Sequence, residues 1–263
     1  MTEEWRLLSL NVYNAYMNMA LDEAILRLRA RDECPNTIRF YRWNPSAVSI
    51  GYFQIAEQEV NLEVCEELGV NVVRRMTGGG AVFHDCRGEI TYSVIVDQDD
   101  PTIPRDLVES YRLLCGGIVL GLRKLGMNAE FKPINDVVLK GKKISGNAQT
   151  RREGVLLQHG TVLVDVDVKT MFKVLKVGKE KISDKAIKLA EERVTSIRRE
   201  LAREIKFEEV YDALKDGFSE ALGIELREES LTKEELELAE NLRKTKYQLR
   251  DWTFKRPPNF SYK

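Results

Sequence analysis

Three short stretches of this sequence set charged, glycine and histidine residues at spacings that could hold a phosphorylated ligand. The first, Val70 to Asp85 (VNVVRRMTGGGAVFHD), brings an apolar run, Arg74 and Arg75, Gly78, Gly79 and Gly80, and His84 within sixteen positions. Val70, Val72 and Val73 suit a buried strand, the glycines let a ligand approach the main chain, and a second strand begins at Ala81. Successive amides in such a loop, flanked by Arg74 or Arg75, form a site for phosphate oxygens, because arginine makes charge-assisted bidentate bonds. A hairpin loop with a surface arginine pair fits the same residues. The second stretch, NDVVLKGKKISGNAQ, reads as a hairpin: Asn135 and Asp136 open a strand, a turn falls near Lys140 and Gly141, and Lys142 to Ser145 returns. Alternation puts Lys142 with Ile144 on one face and Lys143 with Ser145 on the other. One lysine can then aim at a phosphate or at charge developing on a carboxylate; a solvated sheet edge is the other reading. The third stretch holds His159 which, with His84, makes up the chain's two histidines. A strand histidine is either a satisfied core or rim residue or a base or ligand.

Several chemistries are excluded. The loop lacks the GxxxxGK[ST] spacing of a Walker A motif, and a strand rather than a helix follows it, unlike a dinucleotide fingerprint. No GxSxG elbow supports a serine hydrolase. Cys34, Cys65, Cys86 and Cys115 form no CxxC pair and do not cluster with the histidines, which argues against zinc and against a disulfide scaffold. What remains is adenylate-type binding on a sheet, in which ATP activates a carboxylic acid that attacks the α-phosphorus while arginine, lysine and loop amides hold the phosphates.

The balance of 41 basic and 42 acidic side chains gives a net charge of -1, so no global field favours nucleic acid or a membrane surface. The N-terminus has no signal-peptide pattern, and no apolar run approaches a membrane span, which places the protein in the cytoplasm. A hydrophobic fraction of 43% over 263 residues is enough for a sizeable core.

The elements that must position these stretches follow from periodicity. Met17, Leu21, Ala24, Ile25 and Leu28 mark an amphipathic helix over Asn14 to Arg31, after a short strand at Trp5 to Leu8. Thr37 to Arg42 and Ala47 to Tyr52 read as strands on either side of the Asn44-Pro45 turn, and Asn61 to Leu68 reads as a helix ending at Gly69. Ile90 to Val96 is a strand, Asp106 to Leu125 a helix closed by Gly126, and Val155 to Asp165 a strand with Val155, Leu157, His159, Thr161 and Leu163 on one face. Beyond Val168 the chain turns helical, with a solvated stretch over Lys179 to Glu192. Helices follow over Phe207 to Leu222 and from Thr232 to Tyr247, the second opened by a Thr232/Glu235 capping box. The ending RDWTFKRPPNFSYK reads as a docked tail. The expected fold class is α+β, with mixed, largely antiparallel sheets flanked by helices.

Four blocks in order carry a family resemblance: NMALDEAIL from Asn18, RRMTGGGAVFHD from Arg74, NDVVLKGKKISGNAQ from Asn135, and QHGTVLVD from Gln158. With the tail KYQLRDWTF, they resemble the lipoate-protein ligase family, which is similar in fold to biotin-protein ligases and to the catalytic domain of class II aminoacyl-tRNA synthetases. The resemblance implies an ATP- and Mg²⁺-dependent ligase that converts lipoate to lipoyl-AMP. The lipoyl group then passes to a lysine of a carrier domain, in the E2 of a 2-oxoacid dehydrogenase complex or the H protein of glycine cleavage. On that footing Arg75 and the Gly78, Gly79 and Gly80 loop hold the lipoyl-adenylate. Asn135 and Asp136 lie near the nucleotide, Asp136 near Mg²⁺, and Lys143 contacts the acyl-phosphate linkage as the catalytic lysine. His84 and His159, with Gly160 and Thr161 of the last block, match pocket positions, and Val82 and Val73 line a tunnel for the apolar tail.

The blocks span about half the chain, and the resemblance implies one large catalytic domain over residues 1–263, with the small C-terminal accessory domain of single-chain ligases expected to be absent. A separate accessory ligase subunit is therefore an expected partner. An octanoyltransferase of the same fold is the closest alternative, since RREGVLLQHG and TYSVIV also look like that branch. Those enzymes use a cysteine nucleophile ahead of the GKK block, and here Phe131 to Lys140 holds none. A noncatalytic module that binds a carrier or a nucleotide is a further alternative.

Overall fold

The computed structural model describes residues 3–176, 188 and 192–255. In chain order the elements are β1 (Glu3–Tyr13), α1 (Ala15–Arg29), β2 (Thr37–Trp43), β3 (Ala47–Ile50), α2 (Ala56–Glu59), α3 (Leu62–Glu67), β4 (Asn71–Arg74), β5 (Val82–His84) and β6 (Glu89–Asp97). Then come α4 (Leu107–Lys124), β7 (Ala129–Lys132), β8 (Asp136–Leu139), β9 (Lys142–Arg152), β10 (Val155–Leu163), α5 (Val168–Val174), α6 (Ile197–Leu201) and α7 (Phe207–Leu222). Strand β11 (Ile224–Glu229), α8 (Lys233–Leu242), a π-helical turn (Arg243–Tyr247) and α9 (Arg250–Phe254) complete them. The stretch expected to be solvated, Lys179 to Glu192, lies outside the described residues except for Lys188 and Glu192, as does the tail beyond Lys255.

The strands form an eight-stranded sheet in the order β11-β1-β2-β6-β10-β9-β8-β7 and a three-stranded sheet in the order β4-β3-β5. Pairing is antiparallel except where β1 meets β2 and β11 and where β3 meets β4, so the α+β, largely antiparallel expectation holds. Strands β2 and β3, read as neighbours across Asn44-Pro45, belong to different sheets, and the chain changes layer at that turn. Likewise β4 and β5 do not pair with each other. Strand β3 lies between them, so the glycine loop spans the end of β3 instead of closing a hairpin.

Alternation along β6 divides the molecule into layers. Ile90, Tyr92, Val94 and Val96 face a core shared with Leu114, Ile118 and Leu122 of α4 and with Leu214 and Phe218 of α7. On the opposite face Ile95, Val155 and Leu157 pack with Ala20, Leu21, Ala24 and Ile25 of α1 and with Leu242 and Tyr247. Val48, Ile50, Val60, Cys65 and Phe83 form a third core beneath the small sheet. Local signals set the boundaries: Asn14 caps α1, Asp106 caps α4 through Val108 and Glu109, and Thr232 and Glu235 form the expected capping box. Lys140 (φ 51°) and Gly141 (φ 76°) take the paired positive φ of a type I′ turn between β8 and β9.

Among the described residues no helix is long and apolar enough to cross a membrane.

Glu235 has a second role. Its carboxylate accepts Nη1 of Arg6 at 3.0 Å and a closer bond from Nη2, while Arg6 Nε donates to Thr37 Oγ1 at 3.1 Å, so α8 is tied to β1 and β2 by a fully buried ion pair. Glutamine at this position can still close the capping box but cannot neutralise Arg6. Glu235→Gln should therefore cost about 3 kcal/mol in urea unfolding, and adding Arg6→Met should recover most of it. A double variant as unstable as the single would show that the lost charge is not the cause.

Candidate functional site

A cavity of about 330 Å³ opens between the two sheets. Its floor is the face of β6 and β10 that α1 leaves uncovered, where Glu89, Thr91, His159 and Thr161 replace the apolar residues found farther along both strands. The small sheet covers it with Ser49, Val82 and His84, β2 adds Tyr41 and Trp43, and Met171 and Leu175 close an apolar side. Of the residues expected from sequence, Arg75, Gly79, Gly80, Val82, His84, Asn135, Lys143, His159, Gly160 and Thr161 line this space. Gly78 and Asp136 lie just behind the lining: the Gly78 carbonyl accepts from Arg75, and Asp136 holds the Lys143 ammonium at 2.7 Å. Val73, expected in the tunnel, shares the Ser49 face of the small sheet but lies where α1 covers that face, so it packs in the second core and is not part of the lining.

The adjacent arginines have separate tasks, as opposite faces of a strand require. Arg74 donates to the carbonyls of Tyr52 and Gln54, both at 2.7 Å, and to those of Trp252 and Thr253 at 2.9 and 2.7 Å, which binds the α9 tail to the small sheet. Arg75 turns to the cavity. Its three nitrogens donate to the carbonyls of Gly78 (2.6 Å), Gly80 (2.8 Å) and Ser49 (3.1 Å) and to the hydroxyls of Ser49 (3.2 Å) and Thr77 (3.0 Å). The guanidinium thus curls the loop around itself. The amides of Gly78, Gly79 and Gly80 meet no acceptor among the described residues and remain available to an anion.

Each histidine joins a hydroxyl to a carboxylate. Ser49 Oγ lies 2.8 Å from His84 Nε2, and His84 Nδ1 lies 2.7 Å from Glu89 Oε1, with the imidazole stacked 4.0 Å from the Trp43 ring. Thr77 Oγ1 lies 2.7 Å from His159 Nε2, and His159 Nδ1 lies 3.3 Å from Asp22 Oδ2. Burial holds His159 below the ordinary histidine pKa despite the neighbouring Asp22. For Asp22, burial raises the pKa, but the His159 hydrogen bond, the Arg39 charge and the Ser93 hydroxyl together outweigh it and leave the carboxyl below its ordinary value. Asp22 also accepts from Arg39 at 2.8 Å and from Tyr41 at 3.2 Å. Glu89 Oε1 also accepts from Thr91 at 2.6 Å, while its buried Oε2 meets no partner among the described residues.

Lys143 reaches the cavity through a bulge: Val137 pairs with Ser145 and Val138 with Lys143, leaving Ile144 as the extra residue. The bulge breaks the simple alternation expected there, and both Ile144 and Ser145 are buried. Three residues on, Gly146 leaves the space that the lysine occupies, since a Cβ there would lie 2.7 Å from the Lys143 ammonium. Gly160 does the same for Asn147, whose Oδ1 would lie 1.9 Å from an added Cβ. Asn147 then accepts from Tyr92 at 2.7 Å and donates to the Asn135 carbonyl at 2.9 Å, which fixes the turn before Asp136. Among the described residues no group of three or more His, Cys, Asp or Glu could hold a metal ion. Asp136 is a single, partly exposed carboxylate of the kind Mg²⁺ takes alongside phosphate oxygens.

Sequence reasoning missed Ser49, Thr77, Asp22 and Glu89. Asp22 and Glu89 lie within or beside the family blocks, but only the contact between sheets brings Ser49 and Thr77 together on Arg75 and sets Glu89 against His84 and Asp22 against His159.

Residues 14–219 match the lipoyl protein ligase A/B catalytic domain family. Among curated relatives, the octanoyltransferase LipM of Brevibacillus brevis is 38% identical over 97% of this chain and all of its own length. A chain from the archaeal lipoylation system of Thermoplasma acidophilum, described as a bi-partite lipoate protein ligase and its E2 lipoyl domain, is 37% identical, covers 98% of both chains and has a TM-score of 0.86. A lipoate-protein ligase A bound with ATP is 35% identical over 95% of this chain and 98% of its own, with a TM-score of 0.81. The glycine loop, the lysine hairpin and the polar floor are thus those of a protein that belongs to the lipoyl protein ligase A/B catalytic domain family.

Proposed function

We propose that this chain is the catalytic subunit of an ATP-dependent lipoate-protein ligase. In this reading the lipoate carboxylate attacks the α-phosphorus of ATP and pyrophosphate leaves. The amine of a carrier-domain lysine, after losing a proton, then attacks the acyl carbonyl of lipoyl-AMP and AMP leaves. The loop amides of Gly78, Gly79 and Gly80 take phosphate oxygens, Lys143 follows the charge at the acyl-phosphate linkage, and the side of the cavity near Met171 and Leu175 receives the apolar tail. Asp136 would hold the Mg²⁺ that accompanies ATP, and the ion would neutralise phosphate charge.

One observation carries the choice of a ligase over an acyltransferase: no cysteine lines the cavity. Cys34, Cys65 and Cys115 are buried, and burial pushes the thiols of Cys34 and Cys65 up to about 11 and that of Cys115 higher still, opposite to what a thiolate nucleophile needs. Cys86 is partly exposed but lies outside the lining. The likeness to a bi-partite ligase along 98% of both chains supports a second polypeptide as accessory subunit and a lipoyl domain as acceptor. The octanoyltransferase reading draws on the LipM relatives, which match 97% of this chain, and requires octanoyl transfer through a thioester.

Incubation with lipoate or octanoate, Mg²⁺ and a lipoyl domain, with and without an accessory subunit, separates the two when the domain is weighed by mass spectrometry. Modification should require ATP; modification from octanoyl-carrier protein that ignores ATP would overturn the ligase reading. Cys86→Ser should keep full activity under the same conditions, whereas an acyl-cysteine enzyme relying on it would lose nearly all. Lys143→Ala should lower acyl transfer by about 10²-fold or more with an unchanged unfolding midpoint, and activity within twofold of the parent would remove the lysine from the chemistry.

A further inference from the structure

Two of the buried carboxylates at the cavity stand three hydrogen bonds away from the arginine that shapes the glycine loop. Arg75 Nη1 donates to Ser49 Oγ and Arg75 Nε donates to Thr77 Oγ1. A hydroxyl has one proton, so with a lone pair committed to the guanidinium each sends that proton to its histidine Nε2, at 2.8 Å for Ser49 and 2.7 Å for Thr77. Each ring then carries its proton on Nδ1 and donates it outward, His84 to Glu89 and His159 to Asp22. Reversing either arm would leave a hydroxyl proton with no acceptor in a buried site and a ring nitrogen lone pair facing a carboxylate.

We propose that Glu89 and Asp22 are positioning residues of the acyl-adenylate site, each acting through a histidine and a hydroxyl to fix Arg75 and thereby the curl of the Gly78 to Gly80 loop. The proposal rests on the reading of the cavity as an adenylate site. Within it, neither histidine serves as base or acid, because both Nε2 lone pairs are already occupied by hydroxyl protons. The two arms differ at their ends. Asp22 is anchored by Arg39, Tyr41 and Ser93 as well, so its orientation survives the loss of one partner. Glu89 gathers His84 and Thr91 on Oε1 alone, with Oε2 unpartnered among the described residues, which makes its arm the more easily released of the two. Loss of the Glu89 charge removes the preference for Nδ1–H in His84, frees the ring to donate through Nε2, and turns the Ser49 proton against Arg75.

The test is a pair of double-variant cycles read by calorimetric binding of a nonhydrolysable acyl-adenylate analogue, with histidine ¹⁵N spectra of the same proteins. Glu89→Gln and Ser49→Ala should each weaken analogue binding by about tenfold, and together by little more than either alone, since they cut the same arm. Glu89→Gln combined with Asp22→Asn cuts both arms and should multiply the separate losses. The spectra of the parent should show both rings protonated on Nδ1 only, and Glu89→Gln should alter the His84 signals while leaving His159 unchanged. Multiplicative losses within one arm, or a parent ring protonated on Nε2, would overturn the proposal. If the parent binds no analogue, the adenylate reading fails and the spectra alone decide the wiring; if it binds the analogue but transfers no acyl group, only the ligase reading fails.

Discussion

A buried guanidinium with no carboxylate against it is the constraint on which this site depends. Arg75 is almost wholly removed from solvent, and burial lowers its pKa to about 10, which still leaves it charged at neutral pH. Isolated charge in such surroundings is unfavourable by several kcal/mol unless every donor finds an acceptor. Here the acceptors are carbonyls and hydroxyls supplied by the loop and the adjoining strand, so solvating the charge and shaping the loop are the same event. A carboxylate placed directly on Arg75 would have neutralised it and drawn its donors away from the loop. Keeping the carboxylates at second remove leaves a positive field at the cavity wall, where an anion can use it.

The same contacts explain why a cavity persists between two sheets that could otherwise collapse together. Away from the α1 core, where Ala47 and Val73 of the small sheet meet Ile95 and Val155, apolar packing lies on the outer faces: α4 and α7 against the main sheet, and the Val48, Ile50 and Phe83 core beneath the small one. Between the sheets the connections are polar and directional. Ser49 and His84 reach down to Glu89 of β6, and Thr77 reaches His159 of β10 and, through it, Asp22 of α1. Hydrogen bonds of fixed length hold the layers at a set distance, whereas leucine and valine would have filled the gap. The polar interruption of β6 and β10 is thus what makes room for a ligand.

Much of the fold was legible in the sequence because it follows from local rules. Helix α1, the Asp106 and Thr232 caps, the Lys140-Gly141 turn and the strand faces of β10 come from periodicity and turn chemistry alone. Placing β3 between β4 and β5 did not, because sheet order depends on pairings among distant segments. That single misplacement hid Ser49, which sits at the centre of the small sheet and 35 residues from its partner His84. Arg74 and Arg75 were equally plausible in sequence, since facing depends on register, and register is set by packing. For Asp22 and Glu89, a buried acid at a strand or helix position reads from sequence like a solvent-facing one; the partners that make burial tolerable are His159 and Arg39 for Asp22 and His84 and Thr91 for Glu89, and all but Thr91 come from other elements.

Lys143 stands in physical contrast to Arg75. Its ammonium pairs with Asp136 at 2.7 Å, but both side chains are partly exposed, and an ion pair in that setting contributes about 1 kcal/mol or less. The long stem crosses the space that Gly146 leaves, without a second anchor of the kind Arg75 has in abundance. Release from Asp136 is therefore inexpensive, and the ammonium can move to a phosphate or to an oxygen gaining negative charge. A positive group that must follow charge from one reaction step to the next cannot also be the one that defines where the ligand sits. In this site the two tasks fall to different side chains, one immobilised by five oxygen acceptors and one tethered by a single exposed carboxylate. The bulge after Lys143 and the curl around Arg75 are the backbone features that keep the tasks apart.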